Sequence, residues 1–600
     1  MRLEGARDVP GAAMWIGFLG GPVALPGTYQ VRLTAGSHSL TRPFEIRRDP
    51  RLTVTDAELR SQFDFLVRVR DKITEVHDAV LDVRDIAAGE RAWTLERPLL
   101  LAMLVFGVAI RLMRISQPFV DHWSWRQADV AMIAENFFRQ GHRILYPQIN
   151  WAGTSPGYVG TEFQLVPFIA SLIYPFSGPR DWVGRAVSVA FFAASVPWYY
   201  ALVKKAFDST SALLALGLYV LAPLGIFASR SFMPDMASLG LSIAALLFFA
   251  QWLEAETPRS FGAAAAAAGL AVLLKLSSAV IGLPLVYMAW RRYGWGLLRR
   301  GPLWAYAAFT LAGPLAWYTH AFLVGTSHFP HDVWILGSGF ALLPLDDYGG
   351  ILTGALFSGV TPPMCALMLA GMWITFRDAS PRYRLVFHWW LAGIVLFLFF
   401  ASRRSLQHWY ALPVAPVAAA FAGTALRSLA RGVAKAGRPM VVVCLSTVLA
   451  GVGALSYLYA SAWYTPRASP LWRAGMAVRR VTPANALVVF VDDGDPTGIY
   501  YSERKGWHFL NQGVWSGNPA DSGQAIAALE ALRRQGATYL VFTRRTFWWL
   551  DYYRDFGRYL DARYGRVRQT PDYIIFELGD RLWPEGGMHA GAERKSGVGR

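Results

Sequence analysis

From about residue 97 the chain alternates long apolar runs with short polar connectors. Eleven runs meet or approach the roughly 20 residues needed to cross about 30 Å of hydrocarbon. They lie near 97–114, 185–203, 211–228, 236–253, 262–275, 279–290, 302–322, 360–376, 385–401, 409–426 and 439–460. The pattern differs on either side. Gly27–Thr41 and Arg42–Ile46 alternate like strands about a turn at Ala35-Gly36-Ser37. Thr55–Ile86 places Leu59, Phe63, Leu66, Ile73, Val76, Val80 and Val83 near one face of a helix. Near the other end, Ala486–Val491, Thr538–Phe542 and Tyr573–Leu578 read as short buried strands, and Gly523–Gln535 and Trp548–Tyr564 as helices. Together these predict a small α/β domain.

The expected fold class is mainly α: a polytopic helical membrane protein of about eleven spans, with a C-terminal extracytoplasmic α/β domain and a small N-terminal β-plus-helix segment. The predicted division is 1–92 (a β-sandwich fragment plus amphipathic helix, too short to bury a good core alone), 93–463 (membrane), 464–580 (α/β) and 581–600 (a Gly-rich, charged, disordered tail).

Composition agrees with this division. The 600 residues are 54% hydrophobic and 16% charged, against about 45–50% and about 25% in soluble domains. A net charge of +17 raises the question of nucleic acid, but the basic residues sit in short loops between apolar runs, where they set orientation. Loops assigned to the cytoplasm hold Lys204, Lys205, Arg259, Arg291, Arg292, Arg299, Arg300, Arg377, Arg382, Arg384, Arg427, Arg431, Lys435 and Arg438. Short outer loops hold Arg230, Lys275, Arg403 and Arg404, and the long loop 320–350 holds no Lys or Arg. The first span alone is undecided, with Arg91 and Arg97 facing Arg111 and Arg114. Cys365 and Cys444 lie in apolar runs and read as small core residues.

Candidate chemistry concentrates on the outer face. In the first outer loop, 129–138 reads as an amphipathic helix on the membrane surface, with Trp123 and Trp125 as interfacial anchors. Asp121, Arg126, Asp129 and Glu162 are ionisable groups near its ends. Capping is the competing reading for any single carboxylate. Asp235, in Met-Pro-Asp, sits at the mouth between two spans. Lys275 interrupts an apolar run and calls for a partner or an anionic ligand, or else snorkels to the interface. Arg403, Arg404, Gln407, His408 and Tyr410 form a further polar cluster, alternatively a belt contacting headgroups. A carboxylate to deprotonate an acceptor and cations to hold an anionic leaving group suit glycosyl transfer from a lipid phosphate. Asp129, Glu162 and Asp235 could also offer oxygen ligands to a divalent cation, although no compact ligand motif is present.

The first outer loop, Met-Pro-Asp, Leu-Leu-Lys and Gln-His-Trp-Tyr-x-Leu-Pro occur in the order found in bacterial family 39-type membrane glycosyltransferases. This family is related to the dolichyl-phosphate-mannose protein mannosyltransferases and lipid A aminoarabinose transferases, and the resemblance covers about 97–580. It implies the GT-C fold, a bacterial inner-membrane location and a polyprenyl-phosphate-linked sugar donor. It also implies a lipid, glycan or protein acceptor and inversion at the transferred hexose or pentose. Asp235 matches the second acidic position, and Glu162 the glutamate after the surface helix. Where relatives carry Asp-Glu before that helix, this chain has Arg126-Gln127. The base is then Asp129, with Asp121 in reserve. Lys275 and Arg404 would hold the lipid phosphate, with Arg126, Arg403, His408 and Tyr410 around the substrate. The comparison also makes Phe163–Phe176 a re-entrant or surface helix. Residues 1–90 instead resemble the C-terminal tail of sortilin-like or BNR-repeat proteins, and are expected to be a fused or mis-started segment without a catalytic role. Two other classes compete: a transporter of a lipid-linked or anionic substrate, whose inverted repeat is not visible here, and a non-catalytic glycan assembly protein.

Overall fold

The computed structural model describes residues 21–35, 38–51, 53–325, 359–377, 383–400, 407–512 and 515–579, with side chains of 35, 76–95, 400, 511–512 and 515–516 left aside. It divides into two compact units, Met1–Leu99 and Leu100–Arg600.

In the first unit, β1 (Gly27–Ala35) and β2 (His38–Ile46) pair antiparallel from Gly27↔Ile46 to Ala35↔His38, the hairpin expected from the alternation. The predicted turn at 36–37 lies outside the described residues. Helix α1 (Asp56–Leu112) opens on a reciprocal cap: the Thr55 N–H and hydroxyl donate to Glu58, whose N–H donates back to the Thr55 hydroxyl. The connector ahead of Pro98 is rich in helix formers (Ala87, Ala88, Glu90, Arg91, Ala92).

In the second unit a helix occupies each predicted apolar segment. After α2 (Ser124–Arg139) and α3 (Leu165–Ser177) come α4 (Asp181–Ala206), α5 (Ser209–Leu221), α6 (Pro223–Ala228), α7 (Asp235–Ala255), α8 (Pro258–Leu274), α9 (Gly282–Tyr293) and α10 (Gly301–Val324). Then follow α11 (Pro362–Arg377), α12 (Val386–Phe400), α13 (Val414–Val433) and α14 (Arg438–Trp463). Among the described residues, four segments are long and apolar enough to cross a membrane by themselves: α4, α7, 408–436 and α14. Arg111, counted from sequence as a flanking charge, is fully buried. Its guanidinium lies 3.5 Å from the Phe192 ring centroid and donates to Ser229 Oγ and the Gly107 carbonyl. It therefore cannot act as a loop charge that orients the first span.

The C-terminal part begins with α15 (Ser469–Val481). A five-stranded sheet follows in the order β4-β3-β7-β9-β8, with β3 (Leu487–Val491), β4 (Lys505–His508), β7 (Tyr539–Thr543), β8 (Gly565–Gln569) and β9 (Tyr573–Glu577). Strands β3, β4 and β7 are parallel, which explains the uninterrupted apolar run Val488–Val491. A two-strand pair, β5 (Asn511–Gln512) and β6 (Trp515–Ser516), stands apart. Helix α16 (Thr497–Ser502) joins β3 to β4. The Tyr501 hydroxyl donates to Asp181 (2.9 Å) and accepts the Phe119 N–H (2.7 Å), tying this part to the outer loop. Residues 150–153 cover the edge of β4: Gly153 N–H donates to the Gly506 carbonyl and Gly506 N–H to the Asn150 carbonyl. Gly153 has φ +62°, and a Cβ there would lie 2.1 Å from the Trp507 ring, so only glycine permits this approach.

Candidate active site

Helix α8 stops at Leu274, and a 3-10 turn over Leu276–Ile281 follows before α9. Ser277 and Ser278 favour such a break over a continued helix. The carbonyls released near the break are used by neighbours: Phe163 N–H donates to the Leu273 carbonyl at 3.2 Å, and the Tyr318 hydroxyl reaches it at 3.3 Å. The break turns Lys275 inward. Its ammonium meets Asp235 Oδ1 at 2.6 Å and lies 4.7 Å from the Tyr410 ring centroid. Asp235 is the first residue of α7, after Pro234. Its Oδ2 is buried and, among the described residues, has no hydrogen-bond partner. Asp235, Lys275, Ser277, Ser278, Trp409 and Tyr410 line one cleft. Ser238 and Ser278 join across it through their hydroxyls (2.7 Å).

Glu162 reaches the same region on loop 160–164. Trp317 Nε1–H donates to the Thr161 carbonyl, and Gly160 passes so close to α10 that a Cβ would lie 2.2 Å from the Ala321 carbonyl oxygen. Glu162 forms an ion pair with Arg126 of α2. Burial alone would lower the Arg126 pKa, but the fields of Glu162, Asp129 and Asp235 together raise it. One turn along α2, Asp129 is buried and accepts the Trp151 indole N–H at 2.9 Å. Burial pushes its carboxyl up to about 6, against the pull of Arg126, Trp151 and His508. The structure thus brings Arg126, Asp129, Glu162, Asp235, Lys275 and Tyr410 into one neighbourhood.

Several of these residues sit in surroundings other than those expected. Helix α2 is covered by protein: twelve of its sixteen residues are buried, enclosed by α3 and α16. Its polar face meets protein: Asn136 donates to the Gln148 carbonyl and to Asn150 Oδ1. Trp123 is not an interfacial anchor, since it is enclosed by Phe227, Trp409 and Trp463, and Trp125 packs on Trp409. Asp121, the reserve base, is fully enclosed. One of its oxygens accepts Gln127 at 2.7 Å, and the other faces Arg185 and Arg230, each at 3.3 Å. An oxygen set filled in this way has no room for an acceptor hydroxyl. His408 does not line the cleft; it packs edge-on to Trp463 and His122. Arg403 and Arg404 lie outside the described residues.

Among the described residues no group of three or more His, Cys, Asp or Glu side chains is arranged to hold a metal ion. The three carboxylates proposed as ligands each face a different protein donor: Trp151 for Asp129, Arg126 for Glu162 and Lys275 for Asp235.

Sequence reasoning missed Gln127 and Arg185, which hold Asp121, and the pair Asp492–His508 behind Trp151. A signal for the pair existed: Val-Asp-Asp-Gly-Asp-Pro directly follows a buried strand.

A family model described as dolichyl-phosphate-mannose-protein mannosyltransferase matches residues 164–318, from just before α3 through most of α10, including Asp235 and Lys275. No curated protein matches the chain by sequence. Among solved structures, ArnT from Cupriavidus metallidurans bound to undecaprenyl phosphate is similar over 80% of this chain and 98% of its own, at 15% identity and TM-score 0.58. Its apo state gives 82%, 98%, 17% and 0.59. The archaeal oligosaccharyltransferase AglB from Archaeoglobus fulgidus, in complex with an inhibitory peptide and a dolichol-phosphate, is similar over 81% of this chain and 75% of its own, at 14% identity and TM-score 0.50. The chain has the fold of the GT-C membrane glycosyltransferases and is a multi-pass membrane protein.

Proposed function

We propose that the protein moves a sugar from a polyprenyl-phosphate donor to an acceptor on a lipid, glycan or protein, at the extracytoplasmic face of a bacterial inner membrane. The observation that carries this reading is the aromatic-walled cleft into which the broken α8 delivers Lys275, beside an Asp235 oxygen with no hydrogen-bond partner among the described residues. An intramembrane charge held in this way is a functional-site signature. The fold shared with ArnT, whose structure holds undecaprenyl phosphate, supports the donor class.

In the proposed reaction Lys275 and the Ser277 and Ser278 hydroxyls hold the donor phosphate, and Asp235 orients Lys275 and accepts a sugar hydroxyl. Asp129 takes the proton of the acceptor hydroxyl. The acceptor oxygen bonds to the anomeric carbon while the carbon–oxygen bond to phosphate breaks, and the electron pair leaves with the polyprenyl phosphate. This single displacement inverts the anomeric centre. Arg126, tied to Glu162, favours the ionised form of Asp129. Asp121 acts in the scaffold. The basic loops on one side support placing the cleft outside. Two of the outer cations, Arg230 and Lys275, are internal ion-pair partners, so the outer loops are poorer in free charge than the sequence count implies.

Binding of undecaprenyl phosphate to the detergent-purified protein tests the donor site. Wild type should bind, and Lys275→Met should bind about 10–100-fold more weakly, the loss of one charge-assisted hydrogen bond. Equal binding by both would remove Lys275 from the phosphate site.

A further inference from the structure

Strand β3 ends at Val491, and the next residue, Asp492, turns back toward the last residue of β4, His508. His508 Nδ1 lies 2.9 and 2.8 Å from the two Asp492 oxygens. Both side chains are buried. The imidazole is also 5.1 Å from the Trp151 ring, whose N–H donates to Asp129. A buried ion pair gains little stability over an apolar pair of the same shape, so the placement of this one against a candidate catalytic carboxylate calls for a reason.

We propose that the Asp492–His508 pair is a positioning device supplied by the C-terminal domain: His508, held as an imidazolium by Asp492, fixes the Trp151 indole against Asp129 and keeps that carboxylate ionised. The inference rests on the reading of Asp129 as the base. It makes the α/β domain part of the working site.

Among the described residues, charged groups from two parts of the chain face this constellation. Asp129 faces Arg126 on its own helix, and His508 and Asp495 from the C-terminal domain. His508 faces Asp492, Asp129 and Asp495. Asp495 is engaged by the Ser124 hydroxyl at 3.0 Å and faces Arg545 at 3.7 Å. Burial alone would lower the His508 pKa, but these three carboxylates together raise it. The sign follows. Removing the imidazolium takes a positive charge away from Asp129, so Asp129 must protonate at higher pH.

An infrared pH titration of the full-length protein tests this without any substrate. Subtracting the Asp129→Asn spectrum isolates the Asp129 carboxyl band. His508→Gln should move its midpoint up by roughly 0.5–1 pH unit, less than the 1–3 units of a directly contacting charge. Asp492→Asn should move it the same way by less. Tyr501→Phe, which loosens the domain without touching the charges, should lower thermal stability and leave the midpoint in place. Unmoved midpoints in His508→Gln and Asp492→Asn would overturn the proposal, and Asp492→Asn decides alone if His508→Gln does not fold. The same proteins given undecaprenyl-phosphate sugars separate the two ideas. A shifted midpoint with no donor consumed sustains the coupling while removing the transferase reading.

Discussion

The nest around Asp121 and the cleft around Asp235 share ingredients, a buried carboxylate with cations at the ends of helices, and reach opposite results. Both Asp121 oxygens are taken: Gln127 and the Trp123 N–H hold one, and Arg185 and Arg230 the other. Among the described residues Asp235 pairs with Lys275 through one oxygen, while its other oxygen is buried without a hydrogen-bond partner beside the cleft that the residue lines. The contrast shows that donor supply separates a fastener from a tool. With two arginines a carboxylate locks segments 111–121, 185 and 230 together. With one lysine it keeps capacity for a ligand.

The largest expected effect is on turnover at the cleft. Asp129→Asn should lower transfer by about 10²–10⁴-fold, the usual worth of a general base, while thermal unfolding stays close to wild type. In the nest the loss should be of stability. Asp121→Asn strands two buried guanidinium groups and should cost about 3–5 kcal/mol, read as a lowered unfolding temperature. An Asp121→Asn protein that is fully stable but inactive would break the comparison. A smaller effect follows from pH. Because burial pushes Asp129 up to about 6, and a base must be ionised to accept a proton, turnover should fall as pH drops through about 6 and level off above it. A rate independent of pH from 5 to 8 would assign the base elsewhere. The smallest effect sharpens the cleft itself. Ser278→Ala removes a hydrogen bond worth about 0.5–1.5 kcal/mol and should raise the donor KM several-fold, less than Lys275→Met does.

Much of the architecture was legible because it follows from local pattern. The strand expected over Ala486–Val491 is β3, Leu487–Val491, and that expected over Tyr573–Leu578 is β9, Tyr573–Glu577. Apolar runs long enough to span were helices in every case, because hydrocarbon leaves the backbone few alternatives. Lys275 was visible as a charge interrupting an apolar run. What stayed hidden depended on contacts distant in sequence. The pattern of α2 could not reveal that its polar face meets the loop carrying Asn150 and Trp151 rather than water. Asp121 and Asp129 look alike in sequence, and only Arg185 and Arg230, 64 and 109 residues away, distinguish their roles. The Asp492–His508 pair was missed for a similar reason: its interest lies in Trp151, far away in the sequence.

The most direct test is sugar release from a panel of radiolabelled undecaprenyl-phosphate sugars by the purified protein, wild type against Asp129→Asn. The account predicts that wild type consumes at least one donor, by transfer or slow hydrolysis, and that Asp129→Asn, equally folded, does so about 10²–10⁴-fold more slowly. Folded wild type that neither binds nor consumes any donor, or an Asp129→Asn protein as active as wild type, would contradict it.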